Sequence, residues 1–287
     1  MAQIDRAVFK HSWEEAIAIL RADPAHQQLI YDAYLTADLD ENARRFHASN
    51  EFAEVVRLLT LHAPAACDVL DIPGGNGIAT SAFARAGFKV TTVEPDPSAS
   101  VGRGAIATVL ANAGLSANVV NAFGENLPFP DASFDVVYVR QGLHHAADLP
   151  RALREYARVL RSGGILLGCR EHVVDDYGAS LKAFLDSQPD HQLYGGEHAF
   201  TLAAYHSAIA GAGFRLVVDY DPFDSVINLS PNSPATLREA IRRSGPGRIL
   251  STFLPGALVE EIGLWWMRRK RQPGRIHTFL ATKPLVA

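Results

Sequence analysis

Two acidic residues flank a glycine-rich turn in the stretch "VLDIPGGNGIATSAFARAGFKVTTVEPD", which runs from Val69 to Asp96. Asp71 ends a first apolar run, and Glu94 ends a second one, 20 residues after Gly74. Glycines after a strand let the backbone approach a ligand, and the helix that follows presents free N–H groups. An acid at the end of the second strand is well placed to accept hydrogen bonds from ribose hydroxyls. The pattern therefore indicates a site for a nucleoside-bearing cofactor.

The residues inside the turn distinguish two classes of such cofactors. A dinucleotide site has the pattern G-x-G-x-x-G, and aligning Gly75 and Gly77 to it places Thr80 at the third glycine. Asp71 stands beside the place of a pyrophosphate, which a carboxylate repels, although it suits a cation such as a sulfonium or an ammonium. The residues therefore favour S-adenosylmethionine and disfavour a nicotinamide-dependent oxidoreductase.

The elements around this turn are predicted from periodicity. Residues 1–65 show helix signals only: a capping box at Ser12 and Glu15, a second helix from near Pro24, and a third from Asp40 to His62. From Cys67 onward strands and helices alternate, which predicts a doubly wound parallel sheet with helices on both faces. The predicted strands are "CDVLDI", "FKVTTVE", "ANVVN", "SFDVVYVR", "ILLGCRE", "FRLVVDY" and "RIHTFLATKP".

A helical insertion precedes the last strand, over about Asp221–Gly274. Its longest helix places Leu258, Val259, Ile262, Trp265 and Trp266 on one face, which is either core or an exposed interface. We predict four parts: a helical N-terminal cap (1–65), a Rossmann-like core (66–220), an insertion covering the acceptor site (221–274) and the closing strand (275–287).

Several stretches in this order resemble one protein family. They are "VLDIPGGNG", "TVEPD", "NAFGENLPFPDASFDVVYVRQGLHH" and "LREYARVLRSGGIL". The chain is similar to class I S-adenosylmethionine-dependent methyltransferases, within the small-molecule group that includes the ubiquinone/menaquinone-type enzymes. The resemblance covers about Phe52 to Val218 and the last strand. It implies an α/β fold with a mostly parallel seven-stranded sheet, an antiparallel last strand, and S-adenosylhomocysteine as product.

The resemblance also implies roles for the matching residues. Asp71, Gly75 and Gly77 would hold the methionine end of the cofactor, and Glu94 the ribose. The adenosine would be bordered by Pro95 and Asp96, its adenine would be contacted by Asn121, Ala122 and Phe123, and Arg140 and Gln141 would face the methionine moiety. Pro73 stands where the family usually has glycine and offers no N–H. That departure leaves open a catalytically idle module that binds the cofactor or a partner.

Histidines follow two of the predicted strands, and histidine titrates near neutral pH. His144 and His145 follow the fourth strand and His172 the fifth, so these three are the candidate general bases. A base is most useful for an oxygen acceptor, which slightly favours O-methylation of a small molecule. No residues stand at metal-ligand spacing, so no metal is expected.

Composition limits the partners. The chain has 287 residues, a net charge of -4 and two cysteines, Cys67 and Cys169. An acidic chain gives no global attraction to nucleic acid, and no apolar run reaches the ~18 residues of a membrane span. We read the cysteines as reduced core residues and expect a cytoplasmic protein without stable membrane insertion. The sequence does not indicate an oligomeric state.

Overall fold

The computed structural model describes residues 11–285, and its centre is one mixed sheet. Eight strands pair in the order β3-β2-β1-β4-β5-β8-β7, with β6 joining the far end of β5. The strands are β1 (Asp68–Asp71), β2 (Lys89–Val93), β3 (Asn118–Val120), β4 (Phe134–Arg140), β5 (Leu160–Val174), β6 (Phe200–Thr201), β7 (Arg215–Tyr220) and β8 (Arg275–Thr282).

Fourteen α-helices surround the sheet in the described part of the chain. They are α1 (Trp13–Ala22), α2 (Gln27–Asp32), α3 (Leu39–His47), α4 (Asn50–His62), α5 (Ile78–Arg85), α6 (Arg103–Ala113), α7 (Leu149–Val159), α8 (Ala179–Asp186), α9 (Pro189–Tyr194), α10 (Leu202–Gly211), α11 (Val226–Leu229), α12 (Pro234–Arg243), α13 (Gly245–Leu250) and α14 (Gly256–Arg269).

The seven predicted strands all form, and the doubly wound α/β fold is confirmed. Strands β3, β2, β1, β4 and β5 are parallel, whereas β8 lies antiparallel between β5 and β7. The two-residue strand β6 is the addition to the predicted seven. Because the order reverses between β1 and β4, their carboxyl ends border the crevice where ligands of such sheets bind.

Alternate residues of the central strand β4 enter two different cores. Val137 and Val139 pack with buried residues of α7 and α10 on one face. Val136 and Tyr138 pack with buried residues of α4 and α5 on the other. A strand buried on both faces reads as a continuous apolar run, which is why "VVYV" shows no polar alternation. Packing on both faces holds β4 in the middle of the fold, with its carboxyl end at the crevice.

The N-terminal helices differ from prediction at one place. The capping box of Ser12 and Glu15 forms at the start of α1. The single helix expected from Asp40 to His62 is instead two helices, α3 and α4. Ser49 separates them because its hydroxyl accepts a hydrogen bond from the N–H of Phe52, which starts a new helix.

The structure shows how far the apolar face of α14 and the two cysteines are exposed. On α14, Val259 is buried, while Trp265 and Trp266 are 55% and 58% exposed. Cys169 is buried, but Cys67 is exposed and therefore is not a core residue. Among residues 11–285, no helix combines the length and the apolar character needed to cross a bilayer.

Candidate functional site

The glycine turn connects β1 to α5 at the carboxyl edge of the sheet. Gly75 and Gly77 have φ of +52° and +86°, in the left-handed region that glycine tolerates. Gly77 also lies against Ile106, where an added Cβ would come within 3.0 Å of the Ile106 backbone. A Cβ added to Gly75 would meet nothing within 4 Å. The turn therefore packs tightly toward α6 and leaves open space beside Gly75.

Asp71 lies fully buried at the end of β1. Its Oδ2 accepts a hydrogen bond of 2.7 Å from the hydroxyl of Thr80, one turn into α5. Its Oδ1 is buried and has no hydrogen-bond partner. Burial raises the pKa of Asp71 to about 7, with the nearby Glu94 charge adding to the effect. A buried carboxylate oxygen without a donor is costly, so this atom is suited to a ligand that brings one.

Glu94 follows β2 and faces the same turn. Its carboxylate accepts hydrogen bonds from the backbone N–H of Gly75 at 2.7 Å and of Asp96 at 2.9 Å. Burial raises the pKa of Glu94 to about 7, although these two bonds oppose the shift. Each carboxylate oxygen can accept a further bond, so Glu94 can still receive two ribose hydroxyls.

Of the residues predicted to border the adenosine, those after β2 are held by hydrogen bonds, whereas Asn121 and Phe123 after β3 are exposed. Arg103 of α6 donates to the carbonyl oxygens of Glu94 and Pro95, both at 2.7 Å, which fixes the chain after β2. Beyond β3, Asn121 is exposed and the ring of Phe123 is 66% exposed. The intervening Ala122 packs partly against the core. An accessible aromatic ring here offers an apolar face to a base.

Arg140 at the end of β4 is directed toward the N-terminal helices. Its guanidinium forms a two-pronged ion pair with Glu51 of α4, at 2.6 and 3.2 Å, and the carboxylate of Glu51 is fully buried. Its third bond goes to the side-chain oxygen of Gln141, which has a left-handed φ of +50°. Arg140 and Gln141, predicted to face the methionine moiety, are thus bound to each other and to α4.

Both helical segments reach this edge of the sheet. The side-chain amide of Asn76 in the turn donates to the carbonyl of Tyr34, which follows α2. Arg170 of β5 donates to the carbonyls of Ile227 and Ser230 in the insertion, at 2.7 and 2.9 Å. The N-terminal helices and the insertion therefore both border the crevice.

The three predicted histidines come together beside the turn. The rings of His144 and His145 are 4.2 Å apart, and those of His144 and His172 are 4.9 Å apart. The Nδ1 of His144 lies 2.7 Å from the carboxylate of Glu171, and its Nε2 lies 3.6 Å from Glu197. Burial alone would lower the pKa of His144, but the two carboxylates raise it to about 10.

The pKa values of the other two histidines are shifted in the opposite direction. Burial lowers the pKa of His172 to about 4, with the charge of His144 adding to the shift. Burial and His144 also lower the pKa of His145. Nearby Glu171 accepts from the backbone N–H of Gly142 and of His144. Together, His144, His145, His172, Glu171 and Glu197 form the histidine cluster.

Sequence reasoning missed three residues of these sites. Thr80, which excluded a dinucleotide, turns out to hold Asp71. Glu51 pairs with Arg140 across 89 positions of the chain. Glu197 lies in the stretch "YGGEH", before β6. A carboxylate in the first turn of a helix with an otherwise apolar face was the available signal for Glu51, whereas Glu197 had none.

The comparison with protein-family models gives the domain type. Residues 70–168 match the family described as "Methyltransferase domain". This segment is a class I methyltransferase domain. It contains the turn, Glu94, the ends of β3 and β4, and the first part of β5. The flanking helical segments lie outside the match.

A named relative is similar to part of the chain. The ubiquinone/menaquinone biosynthesis C-methyltransferase UbiE of Hahella chejuensis (strain KCTC 2396) is 45% identical over 109 residues, which are 36% of this chain and 42% of that protein. The chain thus matches less than half the length of this curated relative.

Solved structures share the fold over most of the chain. Phospholethanolamine N-methyltransferase 2 of Haemonchus contortus is 17% identical with a TM-score of 0.58, covering 96% of this chain and 61% of its own. A geranyl diphosphate methyltransferase is 18% identical with a TM-score of 0.54, covering 93% and 94%. At these identities the likeness concerns the fold alone.

The residues present fit S-adenosylmethionine, the cofactor of class I methyltransferases. The partnerless Oδ1 of Asp71 would accept from its amino group, and the carboxylate of Glu94 from its ribose hydroxyls. The open space beside Gly75 allows close approach of the backbone. The hydrogen bonds that hold Glu94 and Asp71 come from Gly75 and Thr80, so Pro73, which has no N–H, takes no part in them.

Proposed function

We propose that the chain transfers a methyl group from S-adenosylmethionine to a small-molecule acceptor. The observation that carries the proposal is the pair of buried acids at the ends of β1 and β2. Asp71 keeps one oxygen without a donor, and Glu94 is bound to the turn at Gly75. The match of residues 70–168 to a methyltransferase domain supports this assignment.

Each side chain of the site has a definite task in this reaction. When bound, the cofactor supplies an electrophilic methyl group carried on a sulfonium. Asp71 and Glu94 would fix its two polar ends, which sets the position of the methyl group relative to the sheet. Glu51 and Arg140 would hold α4 over the end of β4. The acceptor would then be aligned by the elements that border the crevice.

The atom that receives the methyl group is either a carbon or an oxygen of the acceptor. The relative from Hahella chejuensis is named a C-methyltransferase, which supports a carbon acceptor, whereas the histidines had favoured oxygen. We propose an acceptor with an acidic hydroxyl on an unsaturated ring. Removing that proton, for which His145 is the candidate base, activates either the oxygen or a ring carbon. Mass spectrometry of the product would identify the methylated position.

The segments outside the matched domain are the candidates for covering the acceptor pocket. We propose that residues 1–65 and 221–274 enclose the acceptor, because the turn binds Tyr34 and Arg170 binds Ile227 and Ser230. Sheets of this type serve many chemistries, so acceptor choice would lie in these segments.

Calorimetric titration with S-adenosylhomocysteine and with NAD tests the cofactor. We expect the wild type to bind the former and not NAD. Glu94→Ala removes charged acceptors for the ribose and should weaken binding at least about 10-fold. Glu54→Ala, on the outer side of α4, is the control and should bind like the wild type. Binding of NAD, or equal affinity in Glu94→Ala, would refute the assignment.

Turnover is a separate measurement. The release of S-adenosylhomocysteine from S-adenosylmethionine would be followed with a panel of phenols, naphthols and amines. Turnover with a phenolic ring supports the proposed acceptor class. Tight cofactor binding without turnover on any member of the panel would favour the idle module that Pro73 had left open.

A further inference from the structure

Three side chains of the histidine cluster converge on one point. One nitrogen of His144, one of His172 and one carboxylate oxygen of Glu197 all lie within 4.8 Å of one another. They come from three separate segments: the loop after β4, the end of β5, and the stretch before β6. None of them has a role in the proposed binding of the cofactor.

The partners of the two rings show which nitrogens are available. The Nδ1 of His172 lies 2.9 Å from the carbonyl oxygen of Gly274, and a carbonyl only accepts, so this nitrogen carries its proton. The Nδ1 of His144 likewise lies 2.7 Å from the carboxylate of Glu171, which fixes a proton on that nitrogen. In each ring Nε2 therefore faces the site, and on His144 a bound ion would displace the second proton of the imidazolium. A histidine whose Nδ1–H is fixed by a carbonyl or carboxylate is the usual arrangement around a bound metal.

Glu197 supplies an independent observation. Its side chain is mostly buried, and its Oε2 is buried without a hydrogen-bond partner, 3.6 Å from the Nε2 of His144. Its other oxygen lies 3.8 Å from the Nε2 of His145, too far for a hydrogen bond. The carboxylate therefore faces two imidazoles at distances longer than a hydrogen bond, and a cation placed between these groups would neutralise its charge.

We propose that His144, His172 and Glu197 bind a divalent first-row transition ion, with Zn²⁺ or Fe²⁺ as the best match. Two imidazoles and one carboxylate form the donor set that such ions favour, whereas Mg²⁺ and Ca²⁺ prefer oxygen ligands. Bonds of about 2.0–2.2 Å would require the three side chains to draw together by roughly 1 Å. His145, beside Glu197, would lie next to the remaining coordination position.

Gly142 connects the proposed metal site to the glycine turn that would bind the cofactor. Gly142 packs on Pro73, where an added Cβ would come within 2.2 Å of the proline ring, and its N–H donates to Glu171. Glu171 in turn orients His144. The sequence predicted no metal because its ligands are 28 and 25 positions apart and share no local spacing. The proposal concerns ion binding and does not depend on methyl transfer.

Metal analysis of tag-free full-length protein tests the proposal. The protein would be stripped with a chelator, incubated with Zn²⁺ or Co²⁺, and desalted. We expect one equivalent of retained ion, and visible absorption of bound Co²⁺ typical of a low-coordinate site with nitrogen ligands. His172→Ala and Glu197→Gln should weaken binding by about 100-fold or more, and Glu171→Gln, which loses only the support of His144, by about 10- to 100-fold.

His206→Ala is the matched control. His206 also contacts a carboxylate, that of Asp219 at 2.8 Å, but that carboxylate is shared with His277 at 2.9 Å. This variant should bind the ion like the wild type. Titration with S-adenosylhomocysteine and circular dichroism of the same samples would verify that the variants are folded. If the wild type retains no ion, or if His172→Ala and Glu197→Gln retain as much as His206→Ala, the metal site is refuted, whatever the titration shows.

Discussion

Asp71→Asn should separate stability from cofactor binding. Burial raises the pKa of Asp71 from its ordinary value of 3.8 to about 7 in the folded protein. The folded state therefore keeps a proton that the unfolded chain has already released. At about 1.4 kcal/mol for each pH unit between the two pKa values, ionising Asp71 costs about 4 kcal/mol of unfolding free energy above pH 7.

The sign of the pH dependence follows from the raised pKa. The stability of the neutral form is fully present below about pH 4 and is lost as pH rises through about 7. Between pH 5 and pH 8 the wild type should lose about 3 kcal/mol through Asp71, a loss that Asp71→Asn does not show. At pH 8 the variant should be more stable by about 1 to 3 kcal/mol, because its unpaired buried amide offsets part of the gain.

Urea unfolding at the two pH values, without cofactor, measures this difference. Titration with S-adenosylhomocysteine at pH 8 should show that Asp71→Asn binds at least about 10-fold more weakly. Asp68→Asn is the control, since Asp68 lies at the opposite end of β1 and pairs with Lys89 and Arg161. Equal pH dependence in the wild type and Asp71→Asn, or equal affinity for S-adenosylhomocysteine, would show that the reasoning is wrong.

Three further predictions follow from the same contacts. Because the pKa of Glu94 is also about 7, this carboxylate gains a proton as pH drops from 8 to 6, and affinity for S-adenosylhomocysteine should fall. In Glu94→Gln, the number of protons that calorimetry shows to be linked to binding should be smaller by about one. Glu51→Gln leaves the buried Arg140 without its charged partner and should lower the free energy of unfolding in urea by about 3 kcal/mol. Glu54→Gln, at an exposed ion pair, is the control and should lower it by less than about 1 kcal/mol. Similar losses in the two variants would contradict this prediction. Thr80→Val removes the donor to the β1 carboxylate and should cost about 1 to 3 kcal/mol at pH 8, while a neutral result in the same assay would count against that bond.

The sequence was sufficient for the sheet because its signals are local. Strand and helix periods, and the glycines after β1, are properties of short stretches, and right-handed crossovers restrict how such units assemble. The same locality explains the errors. The break between α3 and α4 depends on one hydroxyl at Ser49, and the outward face of α14 depends on what the insertion packs against.

The cofactor site was predictable from the sequence in part. Asp71 and Glu94 were predictable because parallel strands bring their carboxyl ends to one edge. The pairing of Arg140 with Glu51, which turns that side chain away from its predicted task, required the packed helices. Neither Thr80 as the support of Asp71 nor the burial behind the raised pKa values could be read without the tertiary structure.

The sequence by itself determined the fold, the crevice and the acids that suit S-adenosylmethionine, since each depends on neighbours along the chain. The tertiary structure alone decided what surrounds the crevice. It brought ligand atoms of His144, His172 and Glu197, from two loops and the end of β5, to within 4.8 Å of one another. The physical reason is that donor geometry and desolvation depend on distances between side chains remote in sequence, which no local period encodes.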